Sequence, residues 1–98
     1  MNIEIAPKET EFQANWNDAK FACFLLNVNN KTGWRLPTIE ELNEIYESGK
    51  ILGNHWYWSS SDSKYDANSA WVQDFSKGFE HFGNKTKDLN YIRAVRDL

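Results

Sequence analysis

The chain has 98 residues, a net charge of −3 and five Trp, six Phe and four Tyr. That length sets one domain, residues 1–98, which buries only roughly 60–65% of its unfolded surface, so the aromatic rings must supply most of the core. Lys and Arg are scattered with no basic stripe, which argues against nucleic acid, and no apolar run approaches the roughly 18 residues that span a bilayer.

The opening residues Met1–Ile5 alternate polar and apolar side chains and include acid, unlike a secretory leader. The single Cys23 allows no internal disulfide. Both features predict a reducing, cytoplasmic setting, and a place in a virus particle is compatible with them. Residues 1–50 hold eight acids against five bases, while the second half is balanced, so the first half suits a basic partner.

In chain order, residues 2–6 read as a short strand with Ile3 and Ile5 on one face. Residues 8–14 read as a polar connection anchored by Phe12. Asn15 is a good N-cap for a helix over residues 16–26, with Trp16, Ala19, Ala22, Cys23 and Leu26 on one buried stripe. Thr38 and Glu41 form a capping box for a second helix, with Ile39, Leu42, Ile45 and Tyr46 inward and Gly49 as its left-handed stop.

The period then changes to two. Trp56-Tyr57-Trp58-Ser59 reads as a strand, and Ser59 to Asn68 as a small, polar loop. Ala70 to Ser76 reads as a strand with Trp71, Gln73 and Phe75 on one face and Ala70, Val72 and Asp74 on the other. Lys77-Gly78 predicts a hairpin, Phe79 to Phe82 its return strand, and Tyr91 to Arg96 a last strand placed beside the first. The order strand, helix, helix, strands predicts an α+β fold.

Several segments together resemble the Lcl C-terminal domain family of bacterial collagen-like adhesins, within the C-type-lectin-like fold. They are Trp16-x-x-Ala19-x-x-x-Cys23, Gly33-Trp34-Arg35-Leu36-Pro37-Thr38 with Glu41-Leu42, Tyr57-Trp58-Ser59-Ser60, Ala70-Trp71-Val72-x-Asp74-Phe75-x-x-Gly78 and Arg93-x-Val95-Arg96. The resemblance implies two helices flanking a twisted antiparallel sheet, paired N- and C-terminal strands, and specificity carried by loops. The proline-centred triplet of calcium-dependent sugar-binding lectins is absent, since the two prolines are Pro7 and Pro37. Calcium-dependent glycan binding in the lectin manner is therefore not expected.

Residues with chemical potential have plainer readings. Cys23 falls on the buried stripe of the first helix, and an inert, packed thiol is expected. His81, Asp74 and Ser59–Ser61 lack the setting of a catalytic triad. His55 and His81 lack metal-ligand spacing, and Asp62, Asp66 and Asn68 lack the density of a calcium loop. Arg35, Arg93 and Arg96 read as structural, with Asp74 as one available carboxylate. No cofactor, metal or catalysis is expected.

Exposed tyrosine beside a polar loop is a recognisable hot-spot composition. The expected binding surface is Tyr57, Asp62, Lys64, Tyr65, Asp66 and Asn68, joined by His81, Asn84 and Lys85 from later loops. The leading functional reading is a non-catalytic module that binds a protein partner through this surface, as an intracellular bacterial or phage modulator. The alternative is a glycan- or surface-binding adhesin or virion module. A homodimer through an exposed strand edge is left open by composition.

Overall fold

The structure is a computed structural model and describes residues 1–51 and 53–98. Its elements are β1 (Ile3–Ile5), β2 (Phe12–Ala14), α1 (Trp16–Leu25), α2 (Ile39–Ser48), β3 (Trp56–Asp62), β4 (Ser69–Asp74), β5 (Glu80–Asn84), β6 (Asn90–Ile92) and β7 (Val95–Asp97). The α+β class expected from the order of elements is what the chain adopts.

The terminal strands pair antiparallel, with Ile3 opposite Asp97 and Ile5 opposite Val95. They form a separate two-stranded ribbon. Arg35 closes the free side of β7, exchanging two 2.8 Å backbone hydrogen bonds with Val95. The remaining strands form one sheet in the order β2-β6-β3-β4-β5. It is mixed, because β3 and β6 run parallel at Tyr57 and Tyr91.

Alternation along β3 and β4 divides the core in two. Trp58, Ala70 and Val72 pack with Trp16, Ala19 and Cys23 of α1 and with Trp34 and Leu36. Tyr57 and Phe75 pack with Ile39, Leu42 and Ile45 of α2 and with Val95, and Trp71 rests against that set. Each face of the sheet thus has its own helix. On the α1 face, β5 runs so close to Trp58 that a Cβ on Gly83 would meet the indole at 2.8 Å.

Local signals placed both helices. The Asn15 side chain accepts the Asp18 N–H at 2.9 Å and starts α1. Thr38 Oγ1 accepts the Glu41 N–H while the Glu41 carboxylate accepts the Thr38 N–H, so the capping box closes in both directions. Gly49 ends α2 at φ 71°, in the left-handed region that lacks a Cβ penalty.

Four expectations need correction. Residues 8–14 hold a 3-10 turn at Lys8–Thr10 and then β2, an edge strand at whose outer end Phe12 is 41% exposed while Ala14 is buried. Ser59–Asn68 is not one loop, since β3 continues to Asp62. Its serines satisfy neighbouring backbone: Ser59 Oγ donates to the Trp71 carbonyl at 2.7 Å, and Ser61 Oγ accepts the Ile39 N–H at 2.9 Å. The expected last strand is two, β6 and β7, separated where Arg93 Nε donates to the Ala6 carbonyl and the chain crosses between sheets. Finally, Asp74 does not pair with arginine, because its carboxylate accepts the Ser76 N–H and hydroxyl in the β4–β5 turn.

Candidate binding groove

On the α2 face, β3 leaves regular pairing with β4 between Trp58 and Asp62. The displaced segment docks on the start of α2, where the Ser60 N–H donates to the Pro37 carbonyl at 2.8 Å. This opens a groove of about 370 Å³. Ile39 and Glu40 of α2 form one wall, and Ser61, Asp62, Lys64 and Tyr65 form the opposite one. Trp71 and Phe82 line the side toward β5. Their rings lie 4.1 Å apart between centroids, because the two residues are cross-strand partners on adjacent strands.

The loop after β3 is held by its own polar groups. Ser63 Oγ accepts the N–H of Tyr65 at 3.1 Å and of Asp66 at 3.2 Å. Asp66 accepts the Asn68 N–H and the Ser69 hydroxyl, at 2.9 and 2.8 Å, and these bonds hold its carboxyl below the usual range. Tyr65 projects from this braced loop with 92% of its surface exposed. A fixed backbone carrying a free ring loses little entropy on binding.

The nine residues expected at a binding surface do not form one patch. Asp62, Lys64 and Tyr65 line the groove. Asp66 and Asn68 belong to the bracing turn beside it, with both residues exposed. Asn84 makes an analogous turn, its Oδ1 accepting the N–H groups of Thr86 and Lys87.

Lys85 is a strut. It pairs with Asp62, donates to the Ala67 carbonyl at 2.8 Å and sits 4.2 Å above the Trp16 ring, with its side chain only 14% exposed. Its backbone N–H donates to the Asn68 carbonyl at 2.8 Å, fastening the two loops together.

His81 belongs to the other face, near Trp56 at 5.6 Å between centroids. Tyr57 is fully buried, which corrects its expected exposure. Strand alternation does put it opposite Trp56 and Trp58, but α2 covers that face as well. Its hydroxyl donates to Glu11 at 2.7 Å, and burial, then this bond, pushes the phenol pKa up.

Residues missed from the sequence are Ile39, Glu40, Ser61, Trp71 and Phe82. Trp71, which the strand reading sets on one face with Gln73 and Phe75, is half-buried at the groove. A tight turn at Lys77-Gly78 would set Phe82 opposite Gln73; the turn instead takes residues 75–78, with the Asp74 N–H donating to the Phe79 carbonyl, and this register brings Phe82 opposite Trp71. A second exposed apolar cluster, Phe21, Phe24 and Leu25, lies along α1.

Other chemistry is muted. Burial pushes the Cys23 thiol up to about 12. Among the described residues no three His, Cys, Asp or Glu side chains gather as a metal site, and no helix is long and apolar enough to cross a membrane. No curated protein sequence gives a significant match to the chain. The family model described as the Lcl C-terminal domain matches residues 4–96. With nearly every element from β1 to β7 inside that match, the chain belongs to the Lcl C-terminal domain family.

Proposed function

We propose that this domain is a non-catalytic binding module that receives a protein partner in the groove between α2, the Ser63–Asn68 loop and β5, on a C-type-lectin-like frame. The observation that carries the reading is the groove's composition: a Trp71–Phe82 pair in tilted ring contact and an exposed Tyr65, each fixed by rigid backbone, with Glu40 and Lys64 at the walls. Aromatic anchors on a pre-ordered surface are what protein hot spots require. Membership of a family named for an adhesin's terminal domain agrees with a binding role.

The lack of catalysis is supported by how the candidate groups are spent. Cys23 is buried, the Ser59 hydroxyl donates to a backbone carbonyl, and Asp74 holds a turn while His81 packs near Trp56. A reducing compartment suits an unpaired cysteine. An intracellular modulator of bacterial or phage origin is the setting we favour.

Affinity capture from bacterial lysate on immobilised wild-type chain, run beside a Tyr65→Ala/Phe82→Ala variant, tests the reading. A protein retained by the wild type and lost from the variant is expected. Retention of the same protein by both rejects the groove. Capture of no protein, with binding on a glycan array that depends on Tyr65, establishes the glycan-binding alternative instead.

A further inference from the structure

We infer that the partner enters as an extended strand added to the free edge of β5, presenting an apolar residue to Phe82 and a Lys or Arg to Glu80; this rests on the groove being the protein-binding site. The edge is defined by hydrogen bonding. Asp74 N–H donates to the Phe79 carbonyl at 2.8 Å and Lys85 N–H to the Asn68 carbonyl at 2.8 Å. Antiparallel bonding alternates between these two points, so Phe79, His81, Gly83 and Lys85 face β4. Glu80, Phe82 and Asn84 therefore aim their backbone groups outward.

Asn84 is already closed. Its N–H donates to Asp88 Oδ2 at 2.7 Å and its carbonyl accepts the Asp88 N–H at 3.1 Å. Glu80 and Phe82 keep both of their outward groups without a protein partner among the described residues. The open window is thus two residues with four hydrogen-bonding groups, stopped at one end by Asp88. The strand carries no Lys, Pro or bulge of the kind that blunts an edge, whereas β7 is closed on one side by β1 and on the other by Arg35.

Side-chain direction supplies the specificity. Glu80 and Phe82 share the α2 face with their cross-strand partners Gln73 and Trp71. A partner residue opposite Phe82 extends the Trp71–Phe82 row at the mouth of the groove. Two residues further along an antiparallel partner, the side chain opposite Glu80 meets an exposed carboxylate that has no ion-pair partner among the described residues. The complementary segment reads apolar-x-Lys/Arg in the N-to-C direction. A second copy of this edge offers neither Lys nor Arg between Glu80 and Asn84, so charge favours a different, basic chain.

The test pans a displayed library of random dodecapeptides against the full chain and titrates the best synthetic peptide. We expect enrichment of apolar-x-Lys/Arg and at least tenfold slowing of Phe82 amide hydrogen exchange in the complex. Glu80→Pro removes an outward N–H and the carboxylate while sparing the ladder to β4, which an edge strand tolerates, and should weaken the peptide at least tenfold with unchanged circular dichroism. Glu80→Lys should shift selection from basic to acidic residues, a readout that survives if the proline variant does not fold.

Peptides lost with Tyr65→Ala but indifferent to Glu80→Pro and Glu80→Lys overturn strand addition and leave the groove reading intact. Failure to enrich any peptide, or a concentration-dependent dimer abolished by Glu80→Pro, also overturns it. Enriched peptides indifferent to Tyr65, Phe82 and Glu80 alike reject both.

Discussion

Two borders of this molecule carry charge in opposite ways. Where β7 lies between β1 and Arg35, charges interlock. Arg35 holds Glu41 and Asp97 at 2.7 and 2.8 Å, Arg96 and Lys31 share Glu4, and Arg93 binds Glu11 at 2.7 Å under the Tyr57 hydroxyl. Along the groove and β5, Glu40, Lys64 and Glu80 have no ion-pair partner among the described residues, and Phe82 is 46% exposed. The first border must join the two ends of the chain to a loop and a helix. Its ion pairs fix which segments meet. The second border makes one such closure, Lys85 with Asp62, and leaves Glu40, Lys64 and Glu80 unspent.

The comparison can be broken by substitution, and the largest effects belong to the frame. Trp58 is fully buried and its indole N–H donates to the Ala14 carbonyl at 2.8 Å. Trp58→Ala should cost about 3–5 kcal/mol in urea unfolding, from lost burial, a cavity and a stranded carbonyl. A loss below about 1 kcal/mol would mean that the α1-face core is not organised around this ring.

Arg93→Ala should come next, at about 3 kcal/mol, because Glu11 and the Ala6 carbonyl lose their cation in a setting where both side chains of the ion pair are nearly buried. Arg93→Lys should restore only part of it, since one ammonium does not reproduce the planar donors that reach both acceptors. An equal restoration would reduce the site to simple charge.

A smaller effect appears with pH. The Arg35 guanidinium, above all, holds the Glu41 carboxyl below its usual range, and bonds from Thr38 assist. A carboxyl lowered in the folded state stabilises fully above its unfolded value and loses that contribution as pH falls through its folded value. Stability should therefore decline from about pH 5 downward, and Glu41→Gln should flatten part of that limb while lowering the neutral plateau. An unchanged acid limb would show that the Arg35 ion pair contributes nothing to it.

These contrasts also explain what was legible in the sequence. Caps and alternation act over a few residues, so Asn15, the Thr38–Glu41 box, Gly49 and the two faces of β4 could be read directly. Tyr57 could not, because its burial depends on α2 closing a face that alternation alone leaves open to water. Lys85 resembled a loop contact, yet its partners are Asp62, Ala67 and Trp16, far away in the chain. The groove was half legible: Asp62, Lys64 and Tyr65 follow from loop composition, whereas Trp71 and Phe82 join them through sheet register. The break between β6 and β7 is set by Arg93 reaching Ala6 and Glu11, a contact across nearly the whole chain.

The most direct measurement is amide shift mapping of the nitrogen-15-labelled chain during titration with the tightest library peptide, repeated with Tyr65→Ala. Tyr65 is so exposed that its truncation should leave unfolding stability within about 0.5 kcal/mol. The account predicts perturbation at Ile39, Glu40, Lys64, Tyr65 and Phe82, with affinity reduced at least tenfold in the variant. Shifts centred on Phe21, Phe24 and Leu25 of α1, with affinity unchanged by Tyr65→Ala, would contradict it.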